Sequence, residues 1–530
     1  MKRGALLLAI FVAAFAAACS GGGSSTLPPP PPLGFSNSSL KGQYAFVMTG
    51  QATDGGFLAR IGTFVADGNG NIQGGTEFVD TFTNNFQKLD FAANTGYSVD
   101  PDGRGRMTLL NNSGPTSYSI TFTSPTKGYI SETDGGNGAS GTFELQDSSA
   151  FTTNAMSGSF VFDVSGLDGT PFPNTNVDSI VGQIALNNGV VQGGVYDEND
   201  GAVASNPVSI SNGTLAFTDT TNGLGTLTFN NNVFQYAFVA VNSKKFHLIE
   251  MPPIGTNIPI TIGTANAQTA PPATNAAFNG SFAFLIAGVG THSQNEKAGR
   301  FTTDGNGGIS ASSFALDDKQ LGSSITQISS GQVTSANYTV DTNFPGSGRG
   351  TATIQTSKGT FQFIFYMSSA TQGVIQDNGK GLVGDGVIMA QTSGPLTAMS
   401  FANDYGFNLS GVSTNSTNGF SAEEDFVGHV KITGAASNNV TGAMDFSELN
   451  SNQGAFHDSA LTGGLTINGD GTNSSGTRNS LTITAAGTNG GPSSTFKFTA
   501  YVVDPTTIFV ISQDDNRVTG GTFTKQITPP

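Results

Sequence analysis

One short pattern occurs four times in this chain, and it constrains the fold more than any other feature. Each copy carries aromatic or large apolar side chains at alternating positions and ends in glycine. Apolar residues at every second position are typical of a β-strand that buries one face. A repeat spacing of about 120 residues is the length of a small domain, so four copies of one β module are predicted. The copies are Leu40–Gly50, Met156–Gly166, Phe278–Gly288 and Phe401–Gly411.

Each repeat continues as short apolar strands separated by turn residues. In the first repeat, the turn Asp67-Gly68-Asn69-Gly70 supplies the positive φ angles that tight hairpins require. About eight strands joined by short connections must be antiparallel neighbours, and such a meander removes its exposed edges by closing into a barrel. We therefore predict an all-β chain of four tandem antiparallel modules of about eight strands each, folded as meander barrels. The alternative is four β-sandwiches with Greek-key crossings.

The order of strands and hairpins resembles that of small calycin-type barrels such as avidins and lipocalins. The resemblance is one of architecture only, because their binding signatures are absent from this chain. It implies a barrel fold and no particular ligand.

Polar and glycine residues also recur at matching places in the repeats. A glycine within the second strand is interpreted as a bulge or bend, and an aspartate after the third strand as a strand-end cap. An arginine recurs in three fourth-to-fifth-strand turns, where a solvated arginine is favoured over a buried salt bridge to an acid. A glutamine ends every repeat. These residues are Gly62, Gly182, Gly299, Gly428; Asp80, Asp197, Asp317, Asp445; Arg104, Arg349, Arg478, with Leu224 in repeat 2; and Gln146, Gln268, Gln391, Gln526.

The N-terminus is typical of a bacterial lipoprotein. Lys2-Arg3 is followed by the apolar run Leu6–Ala18 and by Cys19, the only cysteine in the chain. The sequence before Cys19 resembles a lipobox, which implies that Cys19 is lipidated; an ordinary signal peptide with a bystander cysteine is the alternative. Ser20 in place of aspartate favours outer-membrane sorting by the same resemblance. We predict a lipid-anchored protein of the bacterial cell envelope, at the outer membrane or cell surface, without internal disulfides.

The predicted domain organisation follows from the leader and the repeats. A Gly/Ser/Pro-rich segment after Cys19 is typical of a tether that combines flexible and stiff parts. The predicted domains are a signal peptide at 1–18, a lipid anchor and tether at 19–38, and β repeats at 39–147, 155–268, 277–391 and 399–527.

Composition limits the partners that such a chain can bind. The formal net charge is −16, and an acidic surface repels phosphate backbones, so nucleic acid is not an expected partner. We expect a monomer that contacts the membrane through its lipid and binds an unidentified extracellular or envelope partner. No cofactor is predicted.

Two turns space oxygen atoms like the start of a calcium loop. The candidate ligands are Asp67, Asn69 and Asn71 in repeat 1 and Asp304 and Asn306 in repeat 3. An EF-hand would continue with glycine and end in an acid, where repeat 1 has Ile72 and Phe78. A hairpin turn is therefore favoured, and no metal site is predicted.

We expect a non-enzymatic surface protein with a binding, adhesion or spacer role. The alternative is the binding of a small apolar ligand inside the barrels, which the many aromatic residues would line. No catalytic residue is assigned. Two charged segments of repeat 4, Glu423-Glu424-Asp425 and His457-Asp458, are interpreted as solvated loops.

Overall fold

A computed structural model describes the fourteen segments 34–82, 86–169, 175–201, 203–204, 207–253, 259–290, 294–379, 382–392, 396–414, 421–434, 439–449, 456–467, 478–487 and 493–529. The predicted signal peptide, Cys19 and the tether up to residue 33 lie outside these segments. Within them, no helix is long and apolar enough to cross a membrane. Regular structure there is β-strand with short 3₁₀ turns, at Asn37–Ser39, Ser148–Ala150, Asn275–Ala277, Ala311–Ser313, Ser330–Gln332 and Ala398–Phe401.

Module 1 is a closed antiparallel meander. Strand β1 pairs with β2 and with β9, while β4 and β5 both pair with β3 and share the fourth strand position. The strands are β1 Lys41–Gln51, β2 Phe57–Asp67, β3 Asn71–Thr81, β4 Gln87–Phe91, β5 Thr95–Val99, β6 Arg104–Asn111, β7 Gly114–Ser124, β8 Lys127–Glu132 and β9 Gly138–Leu145.

Module 2 closes in the same way, through pairing of β10 with both β11 and β19. Three short strands, β13 to β15, share its fourth position on β12. The strands are β10 Gly158–Gly169, β11 Thr175–Asn187, β12 Val190–Asp200, β13 Val203–Ala204, β14 Val208–Ile210, β15 Thr214–Asp219, β16 Leu224–Phe229, β17 Phe234–Asn242, β18 Lys245–Glu250 and β19 Ile260–Ala267.

Module 3 repeats the meander, but two single bridges, Thr303 to Ile309 and Gly308 to Asn337, join β21 to β24 in place of a ladder. Its strands are β20 Asn279–Gly290, β21 Gln294–Asp304, β22 Ala315–Gln320, β23 Thr326–Ile328, β24 Val333–Val340, β25 Arg349–Thr356, β26 Gly359–Met367, β27 Gln372–Asp377 and β28 Leu382–Ala390.

Module 4 is an eight-stranded closed barrel, β29 to β36. The prediction of four all-β meander barrels is thus confirmed, and the sandwich alternative is wrong. The strands are β29 Asp404–Ser413, β30 Ala422–Ile432, β31 Val440–Glu448, β32 Phe456–Thr466, β33 Asn479–Ala485, β34 Ser494–Asp504, β35 Thr507–Ser512 and β36 Arg517–Lys525.

The repeated motif forms the first strand of each barrel and part of its core. Tyr44, Phe46 and Met48 are buried in the interior of module 1, and Phe46 lies with Phe64 and Phe91 in one aromatic cluster. The first motif residues, Leu40, Met156, Phe278 and Phe401, are completely buried.

The glycine that ends each motif allows the barrel to close. A Cβ atom at Gly50 would lie 2.0 Å from the Gly138 carbonyl oxygen on the last strand of the same barrel. An added Cβ would lie 1.9 Å from the Ile260 carbonyl oxygen at Gly166, 2.1 Å from that of Val383 at Gly288, and 1.9 Å from that of Val518 at Gly411. Because these neighbours are backbone atoms of the closing strand, any side chain would push the first and last strands apart.

The glycines of the second strands have a different role from the predicted bulge or bend. Gly62 lies directly opposite Phe46, and the strand register continues unbroken through this pair. A Cβ at Gly62 would lie 2.6 Å from Phe46 Cζ, and the glycines at 182, 299 and 428 meet phenylalanine rings in the same way. Each glycine therefore leaves room for the central aromatic ring of strand one.

Candidate functional site at the centre of a ring of barrels

The four barrels pack side by side in a closed ring. The first two strands of each module contact the last three strands of the next, and β29 and β30 of module 4 contact β7, β8 and β9 of module 1 in the same way. The outer faces of these strands are therefore buried between modules rather than exposed to solvent. Each module presents one face to the module before it and another to the module after it.

Three of the four contacts between modules contain an apolar cluster. Ile61 of module 1 lies in one cluster with Val239 and Ile262 of module 2, and Val181 of module 2 lies with Ile364 of module 3. The contact between modules 3 and 4 includes Ala298, Val503 and Phe509.

The contact that closes the ring, between modules 4 and 1, is held by ion pairs and hydrogen bonds in the described segments. Asp458 accepts a hydrogen bond from Arg104 and one from Arg106, both at 2.6 Å. Tyr129 and Thr524 share a further hydrogen bond of 2.7 Å across the contact. His457-Asp458 thus belongs to a contact between modules. Both residues lie in strand β32 rather than in the predicted loop, and Asp458 is exposed as predicted.

The glutamine that ends each repeat links its module to the next. Gln526 Nε2 donates to the carbonyl oxygens of Asp102 at 3.0 Å and Phe122 at 2.7 Å, which closes the ring onto module 1. The corresponding side chains of Gln146, Gln268 and Gln391 donate to Ala240, Met367 and Val502 of the following module.

Replacing Gln526 with alanine is expected to lower the free energy of unfolding by about 1–3 kcal/mol, because two buried carbonyl groups lose their donor. Chemical denaturation followed by circular dichroism measures the change. Gln192→Ala, at an exposed position of β12, is the control and should stay within about 0.5 kcal/mol of the parent. Equal stability of the two variants would contradict a linking role for Gln526.

The recurring aspartates and arginines pair between modules. Arg349 of module 3 donates from Nε and Nη2 to the Asp197 carboxylate of module 2, at 2.7 and 2.8 Å, and Tyr366 donates to the same carboxylate at 2.6 Å. Arg478 of module 4 similarly donates from Nε to Asp317 of module 3, at 3.0 Å. The interpretations as solvated arginines and strand-end caps are therefore wrong for these pairs.

Arg104 departs from this scheme. It pairs with Asp102 of its own turn at 2.8 Å and with Asp458 of module 4. Asp445, the recurring aspartate of module 4, instead accepts a hydrogen bond from Ser119 and lies 3.7 Å from Arg106.

Asp80 is the recurring aspartate whose next module lacks the arginine. Leu224 stands at that position, and Val239 stands where modules 3 and 4 have Tyr366 and Tyr501. Asp80 is 1% exposed, and neither carboxylate oxygen has a hydrogen-bond partner in the described segments. Burial raises the pKa of Asp80 to about 8, with the Thr81 backbone N–H acting weakly in the opposite direction.

A cavity of about 840 Å³ lies where all four modules meet, and we call it the central cavity. Its wall includes the closing glycine of every repeated motif and hydroxyl groups from neighbouring strand positions. Asp54, Asp178, Glu296 and Glu423 add carboxylates, while the described lining residues include no lysine, arginine or histidine. Four copies of one strand thus enclose a single acidic site.

Glu296 is the most unusual residue of the central cavity. Its side chain is 3% exposed, and Oε2 has no hydrogen-bond partner in the described segments. Burial raises its pKa well above the usual range of a glutamate, with a smaller contribution from the charge of Glu424. Repeats 1 and 2 have Ala59 and Ser179 at this strand position, so the departure from the repeat is the sequence signal that could have identified Glu296.

The segment Glu423-Glu424-Asp425 is not the predicted solvated loop. It lies in strand β30, where Glu424 and Asp425 are completely buried. Ser410 donates to Glu423 at 3.1 Å, and burial followed by the charge of Asp425 raises the pKa of Glu423 well above its usual range. Burial also raises the pKa of Asp425 to about 7.

A second cavity, of about 460 Å³, lies at the mouth of module 1. Arg60 and Glu77 in its wall form a buried ion pair of 3.1 Å, and Glu132 lies 3.5 Å from the same guanidinium. The chain itself therefore supplies the positive charge that these carboxylates require.

The predicted turn residues form the hydrogen bonds of hairpin turns. Asp67 accepts from the backbone N–H groups of Asn69 and Asn71 at 2.6 and 3.0 Å. Asp304 accepts in the same way from Asn306 and Gly308, at 2.7 and 2.9 Å. In each turn the aspartate carboxylate therefore accepts hydrogen bonds from backbone N–H groups of the turn itself.

The barrel interiors are filled by side chains. In module 2, the gap among Phe162, Phe229 and Tyr236 is too small to hold a water molecule. This observation favours a site between the modules over an apolar ligand site inside that barrel.

No protein-family model and no curated protein matches this chain. Among solved structures, the chain is similar to a mutant of Transferrin Binding Protein B (TbpB) from Haemophilus parasuis Hp5, with 9% identity and a TM-score of 0.19, over 76% of this chain and 83% of that chain. It is also similar to isotype 1 TbpB from serogroup B Neisseria meningitidis, with 8% identity and a TM-score of 0.19, over 76% and 85% of the two chains. Similarity at this TM-score carries no argument about the fold or the function of the chain.

Proposed function

We propose that this protein is a non-enzymatic, lipid-anchored component of the bacterial cell envelope that binds a small organic cation in the central cavity. The observation that carries the proposal is the buried Glu296 carboxylate, whose Oε2 atom has no hydrogen-bond partner in the described segments and which lies in the wall of a cavity shared by all four modules. An organic amine fits the charge of such a site.

The size and the charge of the central cavity support this proposal. A volume of about 840 Å³ lies within the range of small-molecule sites. Carboxylates removed from water are costly unless a positive charge approaches them, so a bound cation would recover part of the free energy lost by burying Glu296 and Glu423. The four closing glycines place backbone atoms at the wall of the cavity.

The proposal of a non-enzymatic role rests on the chemistry of the cavity wall. Its hydroxyl groups, such as those of Thr49, Ser165 and Ser410, lie among glycines, apolar side chains and carboxylates. A serine or threonine nucleophile requires an adjacent base, and the described lining residues include no histidine for that role. Binding is the function that these groups support best.

The proposal of lipid anchoring rests on the N-terminal sequence. Replacing Cys19 with serine is expected to abolish incorporation of a labelled fatty acid and to move the protein from the membrane fraction to the soluble fraction. Unchanged labelling and fractionation of the Cys19→Ser variant would contradict it. The same variant supplies protein without lipid for binding measurements.

Calorimetric titration of the Cys19→Ser protein with spermine tests the central cavity. We expect one spermine per chain, and binding weakened at least tenfold in Glu296→Gln, because a charged contact contributes about 1.5–3 kcal/mol. Ala287→Phe, which fills the cavity from an exposed position of its wall, should remove binding. Asp515→Asn, at an exposed position outside the cavity, should bind as the parent does. Equal affinity of the parent and Ala287→Phe would place the ligand elsewhere.

A further inference from the structure

Three of the four barrels hold a buried positive charge of the chain itself at one end of the barrel. Arg60 lies 3.1 Å from Glu77 in module 1, and Lys297 lies 3.0 Å from Asp377 in module 3. In module 4, Arg517 lies 3.3 Å from Glu424. The side chains of these three cations are 6 to 10% exposed.

Module 2 has an apolar residue at the position of the first two cations. Ile180 lies opposite Val164 on β10, as Arg60 lies opposite Met48 on β1 and Lys297 lies opposite Ile286 on β20. Ile180 is buried and carries no charge. This end of module 2 therefore lacks the internal cation of its sister barrels.

The acidic residues at this end of module 2 are nevertheless present. Asp168, Asp178 and Glu198 each place one carboxylate oxygen within 4.8 Å of the other two. Asp178 is 2% exposed, and its Oδ1 has no hydrogen-bond partner in the described segments. Glu250, 5% exposed, lies on the same side and accepts a hydrogen bond of 2.6 Å from Thr261.

A neutral side chain gives an independent indication of a ligand at this cluster. The Tyr236 hydroxyl is completely buried, has no hydrogen-bond partner in the described segments, and lies close enough to Glu250, Asp178 and Glu198 to feel their charges. Tyr118 occupies the corresponding position in module 1, where its hydroxyl lies near the Arg60 guanidinium. Neither hydroxyl has a hydrogen-bond partner in the described segments, and the one in module 1 lies near an internal cation, whereas the one in module 2 lies near a cluster of acids.

We propose that the end of the second barrel binds one calcium ion, held by Asp168, Asp178 and Glu198, with the Tyr236 hydroxyl facing the ion. Carboxylates are the ligands that hard divalent cations prefer. Two ligands on opposite sides of Ca²⁺ are separated by about 4.6–5.2 Å, and on opposite sides of Mg²⁺ by about 4.0–4.2 Å, from the usual metal–oxygen distances. Oxygens within 4.8 Å of one another fit the ligand shell of either ion. Three carboxylates at one site favour Ca²⁺, because Mg²⁺ loses its waters reluctantly and is usually held by one or two carboxylates. The ion takes the place that Arg60 and Lys297 occupy in modules 1 and 3.

Terbium and calcium alone are the probes for this site. Terbium emission excited through tyrosine should rise with one ion per chain and should fall when Ca²⁺ competes, because the chain contains no tryptophan and Tyr236 lies at the site. Tyr236→Phe should lose most of the emission while it retains Ca²⁺ in a calorimetric titration. Glu198→Gln and Asp168→Asn should each weaken Ca²⁺ binding at least tenfold, and Asp515→Asn should leave it unchanged.

Ile180→Arg supplies the matched variant, because it gives module 2 the cation of module 1. This variant should keep the circular dichroism spectrum of the parent and lose Ca²⁺ binding. If Ile180→Arg does not fold, the Glu198→Gln and Asp168→Asn titrations decide. The proposal is overturned if the parent binds no Ca²⁺, if it binds Mg²⁺ more tightly than Ca²⁺, or if neither acidic variant weakens binding. Asp178 also lines the central cavity, so the two sites adjoin, and Ala287→Phe separates them: this variant should lose spermine binding and retain Ca²⁺ binding.

Discussion

Replacing Arg349 with methionine is expected to lower the free energy of unfolding by about 3–5 kcal/mol, the usual cost of removing one partner from a buried ion pair. Methionine keeps most of the apolar stem but leaves the Asp197 carboxylate, which is completely buried, with only the Tyr366 hydroxyl as a donor. Arg349 also pairs with Asp341 of its own module at 2.7 Å, so the loss should combine the contact between two barrels with this pair inside module 3. Chemical denaturation followed by circular dichroism measures it, since the chain has no tryptophan.

The double variant Asp197→Val, Arg349→Leu tests whether the cost comes from the orphaned charge. An apolar replacement of a buried ion pair is often neutral, so the double variant should regain most of the stability that Arg349→Met loses. The contact between modules 1 and 2 has Leu224 and Val239 at the arginine and tyrosine positions but keeps the acid, Asp80, so the double variant goes one step further by removing both charges. Lys431→Met, at an exposed position, is the control and should change stability by less than about 0.5 kcal/mol. A loss in Arg349→Met no larger than that of the control would contradict the proposed importance of the pair.

The barrels could be predicted from the sequence because their determinants are local. Alternation over a few residues selects a strand, and Asp67-Gly68 or Asn69-Gly70 selects a hairpin turn. The recurrence of Gly50 in every repeat also marked an essential position. Its reason, the approach of the Gly138 carbonyl group, became visible only when the first and last strands were placed together.

The ring could not be predicted from the same patterns. Asp197 and Arg349 are separated by 152 residues, and each resembles a surface residue within its own repeat. The pattern within a single repeat predicts that the outward face of each strand is exposed to solvent. In the ring, the next module covers that face, so a charged residue such as Asp425 is buried there.

Residues that face each other across the ring complement each other in size and polarity. Glu296 of module 3 meets Gly520 of module 4, where an added Cβ would lie 2.5 Å from the Glu296 carboxylate. Asp425 of module 4 meets the hydroxyl of Ser140 in module 1, and Asp385 of module 3 meets the hydroxyl of Ser179 in module 2.

In the contact between modules 1 and 2, the strand position of Glu296 is held by Ala59, which lies in one apolar cluster with Ile262. Each acid is therefore matched by a small or hydroxyl-bearing residue of another module. A comparison of facing positions between repeats could reveal such pairs, whereas a comparison of equivalent positions hides them. The same reasoning explains the glutamines, since Gln526 is a repeated feature whose partner, Phe122, lies in a different module.

Replacing Asp80 with asparagine is expected to stabilise the protein at neutral and alkaline pH. The pKa of Asp80 rises to about 8 in the folded protein because of burial, whereas an unfolded aspartate titrates near 3.9. Between these values the folded state holds a proton that the unfolded state has released, so the stability of the parent falls as pH rises from about 4 to about 8. Asparagine does not titrate, and the variant should lose this part of the pH dependence.

The gain from Asp80→Asn should be close to zero at pH 4 and on the order of 3 kcal/mol at pH 8, below a ceiling of about 6 kcal/mol set by the change in pKa. Leu224→Arg tests the cause, because it restores the arginine that faces Asp197 and Asp317 in the other contacts. This variant should remove the same pH dependence by holding the Asp80 carboxylate in its charged form. In the double variant with Asp80→Asn, the arginine has no charged partner, so the stabilisation by Leu224→Arg should be lost. Denaturation midpoints between pH 4 and pH 9 measure all three variants, with Asp515→Asn as the exposed control. A constant difference between Asp80→Asn and the parent across this range would show that Asp80 does not titrate between the first two barrels.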